Sequence, residues 1–395
     1  MTDLPKLVLA RGRDRRLRSG SPWVFANEVE MTAEAKALPA GSLVALTLAD
    51  GRVYGVAHFN SHSLIVARLL TRNLETPIDA AFFRRRLERA LALRARTVDV
   101  AYCRLVNAEG DLLPGLVVDR YGDVVVVQPN SAGMAASVEP IVDAVRGALA
   151  PRAIVVRRDS HARVLEGVGH EPAYVEGELS APVPVVEAGV TFRADPVNGQ
   201  KTGWFFDQQP NRTLVAGLAQ GASVLDLYSY TGGFGIRAAA AGARHVHAVD
   251  RSAPALDLLR ESVAGAGLGA VVEATQGEVL EVLGGLTSAK QRFDVVIADP
   301  PPFAPAKKDV PVALKGYRKV ARAAAGVTGQ DGFLGISSCS HHVDADALLQ
   351  ASVQGVRDAG RLARLVFSGG AGPDHPIHPA LPESRYLSFL LFALD

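Results

Sequence analysis

The chain has 395 residues, enough for two or three domains, and its 48% hydrophobic and 21% charged residues match the balance of a globular protein. A net charge of +1 gives no global signature of nucleic-acid binding, and no apolar run reaches the length of about 18 residues that a membrane span needs. Two distant cysteines, Cys103 and Cys339, exclude a disulfide framework, and the polar, arginine-rich start lacks the apolar centre of a secretory leader, so a cytoplasmic protein is expected.

Charge is concentrated locally. Lys6, Arg11, Arg13, Arg15, Arg16 and Arg18 crowd the start, against Asp3 and Asp14. Arg84, Arg85, Arg86, Arg89, Arg94 and Arg96 crowd a later segment, against Glu88. Such clusters suit phosphates, and they equally suit a solvated helix face. Between them the chain is β-rich. Strands are predicted at 42–47, 53–56 and 63–70, with a turn at Ala49-Asp50-Gly51-Arg52. Thr76-Pro77-Ile78-Asp79 opens a helix with proline near its first turn, and Phe82, Phe83, Leu87, Leu91 and Leu93 follow roughly at helical spacing.

From 101 to 185 strands alternate with one helix. Strands at 116–119 and 124–128 flank the hairpin turn Arg120-Tyr121-Gly122-Asp123, a helix follows at 138–149, and a strand at 153–156. Pro182, Pro184 and Gly189 predict a loop-rich boundary. Beyond about 190, strands at 224–227, 245–250, 293–298 and 332–337 alternate with helices, including 232–241 and 253–264. That alternation predicts an α/β doubly wound, mostly parallel sheet with ligands at the strand C-termini.

Two loops at those C-termini carry the chemistry. Asp226-Leu227-Tyr228-Ser229-Tyr230-Thr231-Gly232-Gly233-Phe234-Gly235 leaves a strand and opens a helix, where glycines admit a ligand to the backbone N–H groups. Asp226, Ser229, Thr231, Gly232 and Gly233 are its candidate cofactor contacts. Asp250 ends the next strand, where a carboxylate can accept ribose hydroxyls, and Glu278 could meet an adenine. A dinucleotide could use the same features, but Gly232 and Gly233 are adjacent and Asp226 would repel a pyrophosphate. A zwitterionic cofactor such as S-adenosylmethionine tolerates it better; an empty glycine turn is the third reading.

Asp299-Pro300-Pro301-Pro302-Phe303 follows an apolar strand, and its prolines fix a rigid turn in which Phe303 can stack on a base. Cys339 ends the next predicted strand on the same edge, among Ser337, Ser338, Ser340, His341 and His342. A lone cysteine is commonly buried and inert, but a thiolate can add to carbon 6 of a pyrimidine and make carbon 5 nucleophilic. Cys103 lacks such neighbours and is read as structural. No metal is expected.

At these residues the chain resembles the bacterial 23S ribosomal RNA cytosine-5 methyltransferases that carry an N-terminal PUA domain. The resemblance rests on Lys201-Thr202-Gly203-Trp204-Phe205-Phe206-Asp207-Gln208, Ser229-Tyr230-Thr231-Gly232-Gly233-Phe234, Asp299-Pro300-Pro301 and Ser338-Cys339-Ser340, in that order. It implies a PUA-like RNA-binding domain at 1–75, a central α/β domain at 76–188 and a Rossmann-like class I methyltransferase domain at 189–395. It implies that Lys201, Thr202, Phe206, Asp207 and Gln208 enclose S-adenosylmethionine with Asp250, Glu278 and Asp299. It implies Cys339 as nucleophile, with Asp299 at the target ring, Pro300, Pro301 and Phe303 beside it, and Arg11 and Arg13 on RNA phosphates. A homodimer is admitted. Pro302 stands where the family usually has lysine, Gln209 where it has arginine and Glu278 where it has aspartate. The proline loop holds no second cysteine, so another base must release the product. A guanine-N2 methyltransferase on the same scaffold, an RNA-binding protein with a dead catalytic domain, and a dehydrogenase are the alternatives.

Overall fold

The computed structural model describes residues 4–304 and 306–395. Met1–Asp3, within the expected first domain, lie outside the described residues, as does Pro305. The chain forms two compact units. One comprises Met1–Ala181, Pro196–Gly203 and Pro373–Ser384; the other comprises Pro182–Asp195, Trp204–Gly372 and Arg385–Asp395.

The first unit contains two five-stranded sheets. In one, Lys6–Val8, Leu43–Thr47, Val53–Phe59, Ile65–Thr71 and Trp23–Phe25 lie in that order. Only the first pair is parallel. Alternation turns Val24, Val44, Leu46 and Val66 into its core. In the other, Tyr102–Asn107, Leu116–Tyr121, Val124–Pro129, Ala153–Val156 and Tyr174–Gly177 lie side by side. Val124–Pro129 runs parallel to Ala153–Val156, a crossover that helix Val138–Leu149 spans. Two shorter helices, Ala132–Ala136 and His161–Leu165, also fall in this stretch, where one was expected.

Helix Ala80–Arg94 starts one residue beyond the predicted opening, because Asp79 caps it by accepting from the Phe82 N–H at 2.9 Å. Pro77 therefore precedes the cap. The helix buries Phe82, Phe83 and Leu87. Its last residue, Arg94, leaves the second arginine cluster, which Arg84, Arg85, Arg86, Arg89 and Arg96 otherwise form. Arg94 is fully buried, pairs with Asp111, and donates to the carbonyls of Arg104 and Asp374 at 2.9 and 2.7 Å. A guanidinium held in this way cannot reach a phosphate.

The second unit opens with an antiparallel pair, Val183–Glu187 with Val190–Ala194, where a loop-rich boundary was expected. Pro184 is tolerated because a two-stranded sheet leaves outward edges that need no N–H donor. The main sheet has seven strands: β1 (Ser223–Leu227), β2 (His245–Asp250), β3 (Val272–Gln276), β4 (Phe293–Ala298), β5 (Thr328–Ser338), β6 (Ala363–Gly369) and β7 (Ser388–Leu394). Their order is β3-β2-β1-β4-β5-β7-β6, with β7 antiparallel to both neighbours. Helices α1 (Gln209–Ala216), α2 (Gly233–Ala240), α3 (Ala253–Gly265), α4 (Val279–Ser288), α5 (Val310–Val327) and α6 (Ala345–Asp358) cover the sheet. Strand order reverses between β1 and β4, and that switch point opens the crevice at the C-terminal edge.

Candidate functional site

The loop from β1 to α2 is wound tightly. Tyr228, Tyr230 and Gly232 all have positive φ, at 60°, 49° and 84°. A Cβ on Gly232 would lie 2.8 Å from Leu259, so glycine is required there. The coil closes with the Gly232 N–H on the Ser229 carbonyl at 2.8 Å. Asp226, on the wholly buried β1, accepts from the Gly235 N–H through Oδ2 at 2.7 Å and so holds the start of α2. Burial pushes its carboxyl up to about 7; the Gly235 bond opposes the rise, and the charges of Asp299 and Asp250 add to it.

Asp226 Oδ1, Ser229 Oγ and Thr231 Oγ1 are buried with no hydrogen-bond partner among the described residues. An unmade buried hydrogen bond costs about 1–3 kcal/mol, so three at the end of β1 and in the loop after it make this a candidate site for a polar ligand. A cationic amino-acid group suits the Asp226 oxygen, and a pyrophosphate does not. At the end of β2, Asp250 accepts from the Tyr230 N–H through Oδ2 at 2.9 Å and from the Ser252 N–H through Oδ1 at 2.8 Å. Both oxygens keep a lone pair for a ribose hydroxyl. Glu278 is exposed just before α4. Its charge, together with the larger effect of burial, pushes the Tyr228 phenol up to about 12.

The Lys201–Gln208 motif divides between the units. In the first, Lys201 is exposed and Thr202 is buried, its carbonyl accepting from Tyr121 at 2.9 Å and its hydroxyl donating to Asp119. In the second, Phe206, Asp207 and Gln208 form a buried 3-10 turn leading into α1. Asp207 Oδ2 accepts from the Tyr386 hydroxyl. Gln208 donates to Ser337 and accepts from Asn211.

Asp299 and Cys339 leave neighbouring parallel strands at the same edge, since Ala298 pairs with Ile336. Both are half-buried. The Asp299 N–H reaches the Leu227 carbonyl at 3.3 Å, tying the proline loop to β1. Pro300 is buried, Pro301 is exposed, and the Phe303 ring packs against Tyr317 with centroids 4.8 Å apart. His341 and His342 are exposed, and the His341 ring lies 5.3 Å from that of Tyr386. Cys103, by contrast, is buried in the first unit, and burial pushes its thiol up to about 12. Arg11 and Arg13 are exposed there, Arg11 beside a surface hollow that also holds Asp14 and Asp50.

Sequence reasoning missed Tyr317, Tyr386 and Asn211. The first is one aromatic residue on the apolar face of α5, and the second stands alone before β7, so neither forms a motif. Asn211 followed three residues after Gln208 on a helix, a spacing that could have been noticed.

Two family models match. A PUA-like domain covers residues 7–72, and an S-adenosylmethionine-dependent methyltransferase covers residues 166–368. Ribosomal RNA large subunit methyltransferase I of Shewanella denitrificans is 35% identical over 391 residues, 98% of each chain. The protein of that name from Klebsiella pneumoniae is 33% identical over 395 residues, again 98% of each. The fold is shared with the solved SMU.776 complexed with SAH, at 19% identity and a TM-score of 0.83 over 99% of this chain and 100% of that one. Among the described residues no helix is long and apolar enough to cross a membrane. The cofactor is S-adenosylmethionine, and the chain belongs to the S-adenosylmethionine-dependent methyltransferases, with a PUA-like domain at its start.

Proposed function

We propose that this enzyme methylates carbon 5 of a cytosine in large-subunit (23S) ribosomal RNA, with Cys339 as the nucleophile. One observation carries the reading: a half-buried thiol stands at the end of β5, next to the strand that ends in Asp299. A methyltransferase acting on nitrogen has no use for that thiol, whereas carbon 5 of cytosine needs one. Relatives named for large-subunit ribosomal RNA supply the substrate class.

The target base must leave its stack to reach this edge. The Cys339 thiolate adds to carbon 6, forming a carbon–sulfur bond and moving the ring electrons toward nitrogen 3, which takes up a proton. Asp299 stabilises that protonated ring. S-adenosylmethionine, when bound, would supply an electrophilic methyl group that carbon 5 takes, the sulfonium sulfur leaving as the neutral thioether of S-adenosylhomocysteine. A base then removes the carbon-5 proton, the carbon 5–carbon 6 double bond re-forms, and the thiolate leaves. Asp226, Ser229, Thr231, Gly232, Gly233, Asp250, Glu278 and Asp299 would hold the cofactor, with Phe206, Asp207 and Gln208 helping to enclose it and Lys201 and Thr202 preceding them in the motif. Pro300, Pro301 and Phe303 shape the substrate edge, and Arg11 and Arg13 neutralise phosphates.

The test is Cys339→Ala assayed on ribosomal RNA lacking its own methylation, with cofactor binding followed by calorimetry. Turnover is expected to vanish while cofactor affinity persists. Methylation of cytosine at the wild-type rate would overturn the nucleophile, and methylation of guanine N2 would overturn the substrate base.

A further inference from the structure

Tyr317 sits in the middle of α5, fully buried among Ala313, Val320, Ala321 and Leu348. A phenol in such a place must find partners for its hydroxyl. It finds them on both sides of Cys339. Tyr317 Oη lies 2.8 Å from Ser338 Oγ and 3.3 Å from Ser340 Oγ. The Ser340 N–H turns back to Ser338 Oγ at 3.3 Å. Ser340 Oγ also accepts from the Ala304 N–H at 3.4 Å, and the Phe303 ring rests on the Tyr317 ring. One hydroxyl thus gathers the residues flanking the thiol and, through Ser340, the end of the proline loop that starts at Asp299.

We infer that Tyr317 is a positioning residue that locks the Cys339 loop to the Asp299 loop and so sets the approach of the thiol to the pyrimidine ring. This rests on the reading of Cys339 as nucleophile. The device suits covalent chemistry, which tolerates little misplacement: reacting atoms must meet at about 3–3.5 Å with the correct alignment. A helix anchored in the core supplies the reference point. The paired ladder of β4 and β5 ends at Ala298 and Ile336, and the Tyr317 bridge acts beyond that point. Tyr317 remains a neutral phenol throughout, since burial, and to a smaller degree the Cys339 charge, hold its pKa above the ordinary value.

The experiment compares Tyr317→Phe, Ser340→Ala and Cys339→Ala in the full chain. For Tyr317→Phe, kcat is expected to fall tenfold or more, with KM for RNA and cofactor affinity within about twofold of wild type. The rate of Cys339 alkylation by iodoacetamide, followed against pH, should shift in midpoint or plateau. Ser340→Ala, which keeps the phenol but cuts the bridge to Ala304, should lose kcat in the same sense and serves if Tyr317→Phe does not fold. Wild-type kcat and an unchanged alkylation profile in a folded Tyr317→Phe or Ser340→Ala protein would overturn the inference. If Cys339→Ala is inactive in that case, the inference alone fails. If Cys339→Ala methylates at the wild-type rate, the reading of the nucleophile fails and takes the inference with it.

Discussion

Gln208 donates through Nε2 to the Ser337 hydroxyl at 3.1 Å. Both side chains are buried, and Asn211 donates to Gln208 Oε1 at 2.6 Å. The turn before α1 is thereby fastened to the strand that delivers Cys339. Asn211 reaches on to the Gly370 carbonyl at 3.2 Å, so β6 is held as well.

Gln208→Leu should therefore destabilise the protein. The change keeps most of the volume but leaves the Ser337 hydroxyl and the Asn211 amide short of partners. Two unmade bonds at about 1–3 kcal/mol each, partly relieved by relaxation, give an expected loss of roughly 2–4 kcal/mol. Urea denaturation checks it: the midpoint should fall without a change in slope.

Arg212 and Glu187 form a buried ion pair beneath the same region, with side-chain exposures of 3% and 7%. The Arg212 guanidinium also lies over the Trp204 ring, 4.7 Å from its centroid, and donates to the Phe205 carbonyl at 2.9 Å. Arg212→Met strands a carboxylate whose remaining cation, Arg237, is 3.5 Å away. The expected cost is about 3–5 kcal/mol, near the lower figure because Arg237 can shift toward it. Glu187→Leu combined with Arg212→Met should recover much of that loss. A double-mutant cycle by thermal denaturation measures the coupling; additive losses would show that the pair contributes little.

The sequence made some of this legible, and the physical reason differs from place to place. The β1–α2 loop was readable because a chain that turns at positive φ beside Leu259 must put glycine at 232, and glycine is visible. Strands β1, β2 and β4 were readable as short apolar runs bounded by turns. The start of β5 was not. Thr328-Gly329-Gln330-Asp331-Gly332 has the composition of a loop, and Asp331 takes φ 56° inside the strand, where the pairing with β4 shifts register. The hairpin of Val183–Glu187 with Val190–Ala194 was hidden by Pro184, whose cost disappears at a free edge. Arg94 looked like its neighbours in the arginine run; only the fold brings Asp111 to it. Tyr317 was hidden for a similar reason, because α5 shows a helical apolar face and nothing marks which apolar position carries a working hydroxyl.

The two thiols should react differently. Cys339 is half-buried at the C-terminal edge of the main sheet, whereas Cys103 is buried with its thiol pushed up to about 12. At pH 8 a thiol at 12 is about one part in ten thousand thiolate, and the thiolate is the reactive form. Native protein treated with iodoacetamide should carry one label, on Cys339. Cys103 should be labelled only after denaturation. Peptide mapping by mass spectrometry reads the result, and equal labelling of both in native protein would contradict the buried environment of Cys103.

Asp226 should leave a signature in the pH dependence of stability. Its folded-state value of about 7 lies above the value of about 3.9 expected in the unfolded chain. Between those values the folded protein holds a proton that the unfolded chain has released. Stability from this group is present at low pH, declines as pH rises from about 4 to about 7, and is flat above that, because both states are then ionised. Asp226→Asn removes the titration while keeping an acceptor for the Gly235 N–H. In cofactor-free protein the variant should gain on wild type as pH rises through this window, with a difference on the order of a few kcal/mol by pH 8. Urea midpoints of the two proteins measured from pH 5 to pH 8 test this. Parallel curves would mean that Asp226 titrates near its ordinary value and is already charged in the cofactor-free protein.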